Sequence, residues 1–155
     1  MLSISIDTEE LENLESYYSG IQERSQNFQA IEQELGDLQR QELKLRFLSS
    51  PATEVGGIVH GEVYWNRLSN WYLNQNPRRR GKQIMIDTQR LMRDSTVDGS
   101  GNTSRVEGNR YEFSINTSYA QKQHDLRSLL FWSEGLLEKT EAVVLDYILN
   151  GKNET

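Results

Sequence analysis

Leu11, Leu14, Tyr18, Ile21, Phe28, Ile31, Leu35, Leu38 and Leu45 recur mostly at three and four spacing, with glutamate and glutamine between them. That period places them on one face of a helix and predicts a helical segment over 8–48, as one long helix or two shorter ones. Asp7 or Thr8 supplies an N-cap, and Glu9 and Glu10 sit where the helix dipole favours negative charge. Gly20 and Gly36 are candidate breaks, since each costs a helix interior roughly 1 kcal/mol relative to alanine. A stripe this long is an intrachain core face first, and part of it is a candidate contact with another subunit.

The pattern changes after "SSPATEVGG", a loop in which Pro51 stops the helix and Gly56-Gly57 loosens the backbone. "IVHGEVYW" is β-branched and aromatic and predicts a short strand. Trp65, Leu68 and Trp71 or Tyr72 recur as in a helical turn, and "QNPRRRGK" turns again at Pro77 and Gly81. "QIMIDTQRLMRDSTV" begins as a strand or short helix and ends as a polar β-like run, closed by the turn "DGSGN" at 98–102. Beyond it Tyr111, Phe113 and Ile115 alternate with Glu112 and Ser114, after a second turn at Gly108-Asn109. These segments predict a β-meander with one apolar face. Leu129, Leu130, Leu136, Leu137, Val143, Val144, Tyr147 and Ile148 then return to helical spacing, and Gly151 ends the run as a C′ residue. The expected fold is α+β: a long N-terminal helix, a central antiparallel sheet, and a C-terminal helix packed on that sheet. A single domain over 1–155 follows, with a helical segment at 8–48, loops and meander at 55–118 and the last helix at 128–150.

At 155 residues the chain is long enough to bury a core without staples. Seven tyrosines, four phenylalanines and three tryptophans give it apolar surface that a disordered chain lacks, although only 35% of its residues are hydrophobic. A net charge of −6 argues against general polyanion binding and leaves only a local basic strip to support it. There is no cysteine, which removes disulfides, thiolate metal sites and a cysteine nucleophile. "MLSISIDTEE" lacks the layout of a secretory signal, and no window is apolar enough to span a bilayer, so a soluble chain made in the cytosol is expected.

Candidate chemistry is sparse. His60 with Glu62 and His124 lack any familiar ligand spacing, so no metal and no cofactor is expected. "NTSYA" and "LSSPA" offer no nucleophile elbow, and the glycines of "GSGN" are explained by turn geometry. An enzyme or ligand-binding domain is favoured only if the two histidines share a pocket or hold a metal.

The stretch from Trp65 to Ser95 differs from the rest, with two tryptophans, a tyrosine and six arginines in an acidic chain. Arg78, Arg79, Arg80 and Lys82 form a basic loop that, with Trp71 and Tyr72 to stack bases, makes an accessory DNA-binding module the alternative reading. Arginine, tryptophan and tyrosine are also the residues enriched in protein interfaces, and on that ground Trp65, Arg67, Trp71, Tyr72, Arg78, Arg79, Arg80 and Lys82 are expected to meet other subunits.

The order of features here resembles the phage virion morphogenesis family, which includes Mu-type morphogenesis and P2-type tail completion proteins. The resemblance is carried by Trp65, Leu68 and Ser69, by the "RRRGK" linker, and by Asp87, Thr88, Leu91 and Ser95. It continues through "RVEGNRYEFSINTSYA", ending in Tyr119 and Ala120, to Gln123, His124 and the basic Arg127 before the last helix. Gln89 stands where the family has glycine, the histidine and glutamine are reversed, and the glycine after them is missing.

The resemblance implies a structural protein without catalysis, at the neck or tail end of a virion assembled in the host cytoplasm. Its role there would be tail completion, tail termination or head-tail joining. Its expected partners are copies of itself in a hexameric ring, the tail tube and the neck or connector proteins, with no membrane. DNA would make transient contact while passing through the lumen. Head-to-tail association of different surfaces would close such a ring. Arg78, Arg79 and Arg80 would pair with glutamates of a neighbour's N-terminal helix, and the "DGSGN" loop would add contacts.

Overall fold

The computed structural model describes residues 8–87 and 89–151. Helix α1 runs Thr8–Gln26 and α2 runs Glu32–Leu48, separated by a short 3-10 turn at Gln29–Ile31. The helical segment is therefore two helices, and its break falls at neither candidate glycine. Asn27 causes it: its Oδ1 accepts from the Gln29 N–H at 2.9 Å, the kind of local side-chain bond that competes with a helix. The Phe28 N–H donates instead to the Gly108 carbonyl at 2.8 Å. Asp7 lies outside the described residues, as does the side chain of Thr8.

Two antiparallel hairpins follow. Strands β1 (Gly57–Val59) and β2 (Val63–Trp65) pair Ile58 with Tyr64, while β3 (Asn102–Glu107) and β4 (Arg110–Ile115) pair Val106 with Tyr111 across the Gly108-Asn109 turn. Each hairpin is its own two-stranded sheet, so the α+β class holds but the expected meander does not form. Helix α3 (Asn70–Gln75) starts at Ser69, whose hydroxyl caps the Tyr72 N–H at 3.2 Å, and a 3-10 turn at Pro77–Arg79 follows. The run expected as polar β is helix α4 (Arg90–Thr96), and α5 (Ala120–Leu126) lies between the expected meander and the expected last helix, where no element was expected.

The C-terminal helix α6 spans Glu134–Asn150. Ser133 caps it by accepting from the Leu136 N–H at 3.3 Å, and Gly151 ends it at φ 74°. Its main contacts are α2 and α1 rather than a sheet. The Arg24 guanidinium donates to the Ile148 carbonyl at 2.9 Å and the Tyr147 hydroxyl donates to the Asn27 carbonyl at 3.1 Å. The helices pair because α2 already covers the β3–β4 hairpin. Gly36 allows that close approach, since a Cβ there would stand 2.8 Å from the Ser104 hydroxyl.

Helix α2 is the centre of the molecule. Leu43 and Phe47 are fully buried and join Val59, Trp65, Ile84, Leu91, Ala120 and Leu129 in the main core, with Phe113 and Ile115 at its edge. Tyr111 is half-buried beside the hairpin, and burial pushes its hydroxyl up to about 12. The main core thus draws one or two side chains each from α2, β1, β2, α4 and α5 and from the loops at Ile84 and Leu129, and none from α6, which the sequence had suggested would pack on the sheet.

Candidate functional site

Trp65 is completely buried in the main core. Its ring meets Phe47 edge to face at 6.4 Å, and its Nε1–H donates to the Ser128 carbonyl at 3.1 Å. A side chain held this way cannot meet a neighbour, so Trp65 is a core residue and not an interface residue. Arg79 is also buried: it forms an ion pair with Asp87 at 3.1 Å and donates to the carbonyls of Ile86 and Gln83. The basic loop is folded around it. Arg80 donates to Asn74 at 2.6 Å, and the Gly81 N–H donates to the Glu54 carboxylate at 2.8 Å, which holds that carboxyl below its usual range. Arg67, Trp71, Tyr72, Arg78, Arg80 and Lys82 remain on the surface, with Trp71 72% exposed.

The positions that carry the family resemblance come together. Leu68, Ser69, Asp87, Leu91, Tyr119, Gln123 and Arg127 all line one open groove of about 1470 Å³. Trp65 and Ala120 lie in the core, Ser95 is buried in α4, and Thr88 lies outside the described residues. Arg127 ties the two walls, donating to the carbonyls of Asn66 at 2.8 Å and Arg67 at 3.3 Å. His124 Nδ1 accepts from the N–H groups of Leu129 and Leu130, both at 3.2 Å, and so shapes the chain after α5. Gln89 begins α4 in the left-handed region at φ 59°. This is the position at which the resembling family has glycine.

Lys44, Arg67, Arg90, Arg93, Lys122 and Arg127 contribute positive charge to the groove. Asp87 is the one carboxylate among its described lining residues, and it is paired with Arg79. Sequence reasoning missed this concentration because its members are scattered over four segments of an acidic chain. The signal lay in the pair Arg90 and Arg93, three residues apart and so on one helix face.

A buried polar cluster lies on the other side of α2. The Glu42 carboxylate accepts from Arg46 at 3.0 Å, from the Ser133 hydroxyl at 2.7 Å and from His60 Nε2 at 3.0 Å. Burial pushes Glu42 up, but Ser133, Arg46 and His60 together outweigh it and hold the carboxyl below its usual value. Arg46 donates further to the carbonyls of Leu129 and Phe131 and lies 3.7 Å above the Phe131 ring. Serine, histidine and acid are all present, but the acid stands between the other two. A hydrolytic triad needs histidine in that place, so this cluster positions α6 and gives His60 no path to the Ser133 proton. The two histidines are engaged separately, His60 with Glu42 and His124 with the backbone after α5.

A third cluster fixes α4 to β3. Asp94 accepts from the Thr117 hydroxyl at 2.9 Å, and this bond, helped by Arg93 and Arg90, holds its carboxyl below the usual range. The Asn102 amide donates to the carbonyls of Asp94 and Val97, both at 2.8 Å. Gly101 is required there, because a Cβ would fall 2.6 Å from that of Asp94.

An unpartnered apolar surface lies on the first half of α1. Every residue from Leu11 to Ser19 is exposed, including Leu14 at 52% and Tyr18 at 61%. A helix lying on its own body would bury one face, so this half of α1 stands clear of it. No helix among the described residues is long and apolar enough to cross a membrane. Comparison of the chain with family models, curated proteins and solved structures finds no match.

Proposed function

We propose that this chain is a structural subunit that assembles with copies of itself into a ring at the neck or tail end of a phage virion. The observation that carries the assembly reading is the first half of α1, where Leu11, Leu14, Tyr17 and Tyr18 are all exposed on one helix. Monomeric proteins rarely leave that much contiguous apolar surface in water. Trp71 adds an exposed aromatic anchor on a different face, as head-to-tail contact requires.

The virion setting rests on the resemblance in the order of motifs. The gathering of those positions around one groove and the left-handed backbone at Gln89 support it. Tail completion, termination and head-tail joining remain forms of the same proposal, with the tail tube and connector as the further partners. A role for the Arg78–Lys82 loop in gripping DNA loses support, since Arg79 is spent on Asp87 and two carbonyls and Arg80 on Asn74.

Sedimentation or light scattering across a wide concentration range, with imaging of the product with and without tail tubes, tests the proposal. Closed rings, alone or on tube ends, are the expected outcome. A monomer that ignores tubes and retards a DNA fragment at physiological ionic strength would establish the alternative.

A further inference from the structure

The basic groove and the free half of α1 are complementary in charge, in polarity and in shape. The groove belongs to a chain of net charge −6, yet Lys44, Arg67, Arg93 and Lys122 line it with exposed cations over an apolar floor that includes Leu68 and Leu91. At about 1470 Å³ it exceeds the roughly 300–1,000 Å³ typical of small-molecule pockets, and it is an open trough in place of an enclosed cavity. Its size and shape suit a segment of polypeptide.

The free half of α1 offers that segment. Leu11, Leu14 and Tyr18 follow one another at three and four residues and form a single stripe, with Glu15 one turn from Leu11 and Glu12 beyond it. Glu12 and Glu15 are exposed, and no lysine or arginine occurs between Thr8 and Glu23. An acidic, apolar-striped helix of about 18 Å, from 1.5 Å per residue over 8–19, faces a basic, apolar-floored trough. The two do not meet within one chain. Helix α1 is anchored on α6 through Arg24, and no described residue of α1 or α6 lines the groove.

We infer that the groove is the socket for the first half of α1 from a second copy of this chain. Glu12 and Glu15 pair with Lys44 and Lys122, while Leu11, Leu14 and Tyr18 cover the floor. The inference rests on the self-association proposed above and deepens it, assigning the two different surfaces that a head-to-tail ring requires. Exposed pairs of this kind fix register and partner choice, and the apolar stripe supplies the affinity.

Three variants of the full chain provide the test: Glu12→Lys with Glu15→Lys, Lys44→Glu with Lys122→Glu, and all four changes together. Light scattering reads assembly, and circular dichroism shows that each variant keeps its helices. Either pair alone is expected to weaken association by about tenfold or more, and the fourfold swap to restore most of it. Mixing the two double variants should likewise restore assembly with the two alternating, because the intact helix meets the intact groove and the lysine helix meets the glutamate groove. The chain has no cysteine, so Glu15→Cys mixed with Lys122→Cys should form an intermolecular disulfide under oxidation, whatever the charge swaps do to folding.

A wild-type chain that stays monomeric would remove self-association itself, and this inference with it. A wild-type chain that assembles, with both folded double variants assembling equally well and no cross-link, would overturn the helix-in-groove contact and leave self-association standing. Loss of DNA retardation in Lys44→Glu with Lys122→Glu, at unchanged assembly, would reassign the groove to nucleic acid.

Discussion

Trp65 and Trp71 belong to the same aromatic segment and have opposite fates, one completely buried and the other 72% exposed. Trp65→Ala should cost roughly 3–5 kcal/mol in urea denaturation, because it empties the centre of the core and orphans the Ser128 carbonyl. Trp71→Ala should change stability by less than about 0.5 kcal/mol in the dilute chain while weakening assembly. Composition alone could not separate them, since both read as interface aromatics, and only the two-residue period of β2 turns Trp65 inward. Gln89 makes a sharper case. Its left-handed backbone costs a non-glycine residue roughly 1–2 kcal/mol, so Gln89→Gly should stabilise by about 0.5–1 kcal/mol once the flexibility of glycine in the unfolded chain is discounted. A lower thermal midpoint for Gln89→Gly would contradict that account. Nothing in the sequence announced the left-handed backbone at Gln89 or the burial of Arg79.

At the scale of elements, α2 holds the fold together through polar as well as apolar contacts. Glu42, buried among Arg46, Ser133 and His60, and Asp94, bonded to Thr117 beside Arg90 and Arg93, both have carboxyls held below their usual values. A depressed folded value contributes stability that is fully present above the unfolded carboxyl range, near 4, and is lost as pH falls through the folded values. Urea midpoints should therefore be flat from neutral pH to about 5 and drop below about 4, and the drop should shrink in Asp94→Asn. Glu42→Ala should cost roughly 3–5 kcal/mol at neutral pH by leaving Arg46 buried without its partner. The helices at both ends were legible because amphipathic spacing is a local property. The separation of the strands into two hairpins was not, because it depends on α2 lying between segments far apart in sequence. Helix α4 was masked by Thr96 at its end and Val97 after it, residues that favour strands, and its end is fixed by the Asn102 amide, which donates to the Asp94 and Val97 carbonyls.

On the scale of the whole molecule, an acidic protein gathers several of its cations around one groove and leaves the first half of its N-terminal helix exposed. Sequence reading anticipated an arginine-rich contact meeting glutamates of a neighbour's first helix, but assigned it to Arg78, Arg79 and Arg80. The helix-in-groove contact inferred above places it in the groove instead, since Arg79 and Arg80 are occupied within the basic loop. Self-association is the central claim, and the mass of the purified chain in solution by light scattering, followed from nanomolar to micromolar concentration, tests it most directly. The account predicts a rise from monomer to one closed oligomer of fixed mass, diminished in Leu14→Glu with Tyr18→Glu. A monomeric mass throughout, unchanged by tail tubes, would contradict it.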